Sequence, residues 1–231
     1  AASDVYKRQA LLTFVDQRIG LDKTLVVLSA DHGGPEVPGY LNQMGIEADY
    51  VDPGSWDKEA GIARLKERFG LGGELIQEYF HPYVYLNRDL VRDRGLSQAE
   101  VESAVATELM KLEGVALAVS STALVEGRVP DTELVRSILH NHHPGRSGDV
   151  FVVFEPHWFI NDFDGLTVAA THGSPWRYDT FVPLIFAGPG LKPGRVSREV
   201  LTLDVATTLA AFVGAKPPSG ARGQVLPEVI R

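Results

Sequence analysis

The stretch Thr24–Gly34, TLVVLSADHGG, joins a run of apolar and β-branched residues directly to Asp-His-Gly-Gly. An apolar run of this kind is expected of a strand covered on both faces, as in a parallel sheet. Ligands of open α/β sheets bind just beyond the carboxyl ends of strands, and that is where Asp31 and His32 stand. A carboxylate oxygen and an imidazole nitrogen suit zinc where thiolates are lacking. Neighbouring strand residues point to opposite faces, so both side chains can reach one ion only if the chain leaves strand geometry here. Gly33 and Gly34 permit that turn. Taken alone, DHGG fits an Asx-type turn at a strand end equally well.

Working outward, Leu11, Leu12, Phe14, Val15 and Ile19 recur at helical spacing and mark 10–19 as the end of an amphipathic helix, closed by Gly20. The string DVYKRQ at 4–9 is what one reading frame of a common sequencing-transposon end encodes, so residues 1–9 are set aside as a non-native scar. Downstream, 35–56 reads as loop, 57–69 and 73–80 as charged helices, and 82–87 as a short strand. Ser97 starts a helix with Glu100 as its capping-box partner. A strand at 115–121 and a helix at 131–140 complete an inserted α+β cap over 40–145. Strands return at 150–156, 166–170 and 181–188, and a helix at 202–213. The expected fold is α/β, a mostly parallel central sheet flanked by helices and carrying this cap.

A net charge of −8 without a basic run argues against wrapping nucleic acid. With no cysteine, any metal must be held by His, Asp or Glu. No apolar run approaches the ~20 residues needed to span a bilayer. Neither a G-x-S-x-G elbow nor a G-x-x-x-x-G-K-[ST] loop occurs, which ranks serine hydrolases and nucleotide-driven motors low. His172, in AATHGSPWRYD, repeats the pattern of a strand followed by His-Gly, and two strand ends presenting His-Gly suggest one shared site. The denser group His140, His142 and His143 lacks paired-ligand spacing and reads as solvated or helix-terminal. His81 and His157, each beside a proline among aromatics, read as packing residues, and Arg177 as a weak substrate contact.

The blocks TLVVLSADHG, SGDVFVVFEP, THGSPWRYDTFVPLIFAGPGL and TLDVATTLAAFVG, with PPSGARGQVLPEV behind them, occur in that order. In this order they resemble the type I phosphodiesterase/nucleotide pyrophosphatase branch of the alkaline phosphatase superfamily. Within it the likeness is to phosphate-irrepressible bacterial alkaline phosphatases, over residues 10–231. The resemblance implies a C-terminal fragment of a two-zinc hydrolase of small-molecule phosphate esters, working through a covalent phospho-enzyme. It places Asp31 and His32 on one zinc and His172 on the second. The family's nucleophilic Thr or Ser, an early Asp and an Asp-x-x-x-His pair have no counterpart in this sequence. Family members usually act in the periplasm or outside the cell. Cofactor-independent phosphoglycerate mutase and sulfatase are rivals within the superfamily, and a non-catalytic binding module is a rival from another class.

Overall fold

The structure is a computed structural model that describes residues 2–163 and 165–230. In chain order the elements begin with α1 (Ala2–Arg18), β1 (Val26–Leu28), α2 (Pro38–Gln43), α3 (Ala60–Phe69), β2 (Ile76–Phe80) and β3 (Tyr83–Leu86). Then come α4 (Arg88–Asp93), α5 (Gln98–Leu109), β4 (Val115–Ser120), α6 (Ser121–Val125), α7 (Glu133–Asn141) and β5 (Val150–Phe154). The last are β6 (Asp162–Phe163), β7 (Leu166–Thr167), α8 (Arg177–Thr180), β8 (Ile185–Ala187) and α9 (Asp204–Phe212). The chain divides into two compact units, one of Ala1–Asp31 with Val182–Arg231 and one of His32–Phe181.

The second unit is built on a four-stranded sheet in the order β2-β3-β5-β4, antiparallel throughout. Its central strand β5 is buried at every position. Val150, Val152 and Phe154 enter one apolar cluster with Val101, Val105 and Leu109 of α5, whereas Phe151 and Val153 enter another with Val135 and Ile138 of α7. Helices on both faces therefore make the strand apolar throughout. This corrects the expectation of a mostly parallel sheet, because an apolar run reports coverage of both faces and not strand direction. The α/β character stands; the sheets of the described residues are small and antiparallel.

A second correction concerns 73–80, expected as a helix. It forms β2, because Asp57 Oδ1 accepts from the Leu75 and Ile76 amides, both at 2.8 Å, and the segment then pairs with β3. Long-range pairing overrides the helix-forming Glu, Leu and Gln of this stretch. Ser97 does precede α5, but its side chain makes no capping bond. Ser120 and Thr132 do cap, accepting from Ala123 N at 3.1 Å and Val135 N at 3.2 Å. Asp149, 1% exposed, accepts from Leu86 N, Arg88 Nε and Gln98 Nε2, and so joins the end of β3 to α4 and α5.

The histidine cluster closes α7. His140 and His143 are exposed, in keeping with the solvated reading, but His142 packs on Tyr83 with both ring nitrogens buried and without hydrogen-bond partners among the described residues. Burial first, and the neighbouring His143 second, lower its pKa from the ordinary 6.5, with Glu102 opposing. The unfolded chain then takes up a proton that the folded one resists, so stability is full above pH ~6.5 and is lost as pH falls below it. The urea midpoint is expected to drop between pH 7.5 and pH 5, and to drop less in His142→Phe.

In the first unit α1 is continuous through the segment set aside as a scar and ends at Arg18, close to the expected stop at Gly20. β1 and β8 pair antiparallel, Val26 opposite Ala187 and Leu28 opposite Ile185. The strands expected at 166–170 and 181–188 shorten to β7 and β8. The buried Asp204 at the start of α9 accepts from Leu201 N and Gln224 N. Thr208 donates to the Asp204 carbonyl and accepts from Leu226 N, which fixes the terminal segment on the helix.

Candidate functional site

The two His-Gly loops are fastened by one short helix. At α8 the carbonyls of Asp179 and Tyr178 accept from Gly33 N at 2.7 Å and Gly34 N at 3.1 Å. The same helix turns the Asp179 side chain toward the second loop, where Oδ2 accepts from Gly173 N at 2.6 Å and Ser174 N at 2.7 Å. Glycine is demanded twice. A Cβ on Gly33 would lie 2.0 Å from the Tyr178 carbonyl oxygen, and Gly173 holds φ +104°, a region closed to other residues at low cost. Trp176 Nε1 donates to Phe154 O at 2.9 Å, which moors the loop before α8 to β5.

This clasp brings together His32 and His172, 140 positions apart in the chain. Their rings stack with centroids 3.6 Å apart and 13° between planes. His32 Nδ1 is 2.6 Å from the Gly33 carbonyl, which can only accept, so Nδ1 carries the hydrogen and Nε2 the in-plane lone pair. The Asp179 side chain is 2% exposed, and its Oδ1 stands 4.0 Å from that Nδ1.

Sequence reasoning missed His81, which was read as packing. Its Nε2 lies 3.4 Å from the Gly173 carbonyl and its Nδ1 is 2.8 Å from Tyr79 Oη. The carbonyl must accept, so Nε2–H donates to it and Nδ1 accepts from the Tyr79 hydroxyl. Burial raises the Tyr79 pKa, which keeps that hydroxyl protonated. Burial is also the main force lowering His81, reinforced by His172 and opposed by the Gly173 carbonyl and Asp179. Nothing local announces this contact, because it spans 92 positions. His157 packs as expected, its ring 4.7 Å from Tyr178. The Arg177 guanidinium sits 4.5 Å over the Phe181 ring.

Asp31 is exposed and closes the first unit, next in sequence to His32, which opens the second. Among the described residues no three His, Cys, Asp or Glu side chains form a metal cage. Imidazole nitrogen and carboxylate oxygen are donor types that zinc takes, and the structure brings two of the imidazoles, His32 and His172, together.

The profile of type I phosphodiesterase/nucleotide pyrophosphatase matches residues 9–175, most of the chain. The chain belongs to this family. Among curated relatives, a calcium-transporting ATPase of Myroides odoratus is 31% identical, over 95% of this chain and 39% of its own length. Alkaline phosphatase PhoV of Synechococcus elongatus is 27% identical over 94% and 38%. Alkaline phosphatase PafA of Elizabethkingia meningoseptica is 28% identical over 94% and 38%. The crystal structure of wild-type alkaline phosphatase PafA superposes with a TM-score of 0.79 at 27% identity, over 95% of this chain and 41% of that one. The chain thus spans about two fifths of the length of these relatives. Among its described residues no helix is long and apolar enough to cross a membrane.

Proposed function

We propose that the chain is the C-terminal part of a zinc-dependent phosphate-ester hydrolase, contributing His32 and Asp31 to one ion and His172 to the other. The observation that carries this reading is the stacked His32–His172 pair, held by α8, in a chain of this family. Relatives named alkaline phosphatase support it over the mutase, sulfatase and binding-module alternatives. When bound, two zinc ions lower the pKa of a hydroxyl nucleophile and stabilise the leaving oxygen of an in-line displacement at phosphorus.

The residues of this chain prepare that chemistry. Asp31 supplies an anionic oxygen that offsets cationic charge. His32 presents Nε2 because the Gly33 carbonyl holds the hydrogen on Nδ1. Asp179 and His81 fix the backbone around His172 from two sides. The nucleophile that forms the covalent phospho-enzyme lies in the remainder of the parent protein. The segment 40–145 serves as the cap. The parent acts on small phosphate esters in the periplasm or outside the cell.

The test is an aryl phosphate assay with metal analysis of the full-length parent. Hydrolysis with two zinc ions per chain is expected, and less than one zinc would overturn the reading. Residues 10–231 alone, supplied with zinc, are expected to be inactive.

A further inference from the structure

Asp179 has more bonding capacity than its loop-holding work requires. Oδ2 takes both loop amides, Gly173 N and Ser174 N. Oδ1 is buried and has no hydrogen-bond partner among the described residues. Leaving a carboxylate oxygen without a donor in a site 2% exposed is costly unless something nearby favours negative charge there. The group it faces is Nδ1 of His32, at 4.0 Å, the nitrogen whose hydrogen already points to the Gly33 carbonyl.

We propose that Asp179 is a positioning residue that holds His32 in the Nδ1–H tautomer, so that Nε2 is kept as the donor nitrogen. The carboxylate acts through space. Its negative oxygen favours the polar N–H edge of the ring over the lone-pair edge, and it brings no donor that could pair with Nδ1. A loop anchor alone would not need a carboxylate, since an asparagine carbonyl could accept from Gly173 N and Ser174 N equally well. Asparagine would, however, turn its NH2 toward Nδ1. Donor would then face donor, and the ring would relieve this by moving its hydrogen to Nε2. Exchange of an orienting carboxylate for an amide is known to trap an imidazole in the wrong tautomer while geometry is kept. The role of Asp179 in ligation rests on the proposed metal function; its control of the tautomer does not.

The experiment is long-range 1H–15N spectroscopy of the histidine rings in the 231-residue chain, metal-free at pH 8. His32 is assigned by the signal lost in His32→Gln. Wild type is expected to show Nδ1–H at His32, and Asp179→Asn mainly Nε2–H, while the Gly173 and Ser174 amides keep their exchange protection. Nε2–H in the wild type, or Nδ1–H in both, would overturn the proposal and leave Asp179 a loop anchor. Should Asp179→Asn fail to fold, Asp179→Ser is read by the same signals, since its hydroxyl can accept from the loop but carries no charge. Zinc binding by the full-length parent, as wild type and as Asp179→Asn, separates the two claims. Asp179→Asn is expected to bind about 10- to 100-fold more weakly, in line with lost outer-shell partners of ligating histidines. A full-length wild type that takes up no zinc would count against the metal reading and leave the tautomer result standing.

Discussion

Replacing His172 with alanine in the full-length parent is expected to lower kcat/KM for an aryl phosphate about a thousandfold. Metal stabilisation of transition-state charge is worth several kcal/mol, and each ~1.4 kcal/mol is a factor of ten. Removing one imidazole takes away both a ligand and the ring that stacks on His32 at 3.6 Å. Zinc content should fall together with activity, which a purely structural defect would not require. His143→Ala is the control, because that side chain is exposed in the loop after α7. A His172→Ala enzyme within fivefold of wild type, with its zinc retained, would remove the basis for this site.

Gly33→Ala is expected to destabilise the second unit by about 2–5 kcal/mol, the sum of an overpacking cost and two weakened backbone bonds. The added carbon would lie 2.0 Å from the Tyr178 carbonyl oxygen, which is backbone and cannot swing aside as a side chain would. Relief requires parting the loop from α8, and this breaks Gly33 N to Asp179 O and Gly34 N to Tyr178 O. Gly34→Ala is the matched comparison, since a Cβ there meets nothing within 4 Å, and it should stay within about 0.5 kcal/mol of wild type. Urea midpoints for the two variants, with hydrogen exchange at Gly33 and Gly34, decide the matter. Equal midpoints would mean that the close approach is not rigid.

How legible the site was depended on how local each signal is. The pattern of strand followed by His-Gly pointed to His32 and His172, and the structure stacks those two rings. His81 and Asp179 were not legible as site residues. His81 looked like a packing residue beside Pro82, and only the approach of the hairpin β2–β3 to the His172 loop puts it on Gly173 O. Asp179 lay in plain sight within SPWRYD, but no spacing rule says that one carboxylate will gather two amides of the preceding loop. His142, one of the three clustered histidines, proved to be a helix-end residue whose ring nitrogens are buried, in agreement with the helix-terminal side of that reading.

The same division holds for the fold. The sequence by itself determined where most elements lie, because capping residues, glycine stops and apolar periodicity act within a turn or two of the chain; α5, α7, α9, β3, β4 and β5 all fall where those signals put them. It also placed the family, through the order of its blocks. Tertiary structure alone decided strand direction, turned 73–80 from helix to strand, and set two loops 140 positions apart into one clasp. The physical reason is that an apolar run encodes only how thoroughly a segment is covered. Which partner covers it, and which carbonyl a glycine leaves room for, are settled by pairings whose partners lie tens of residues away.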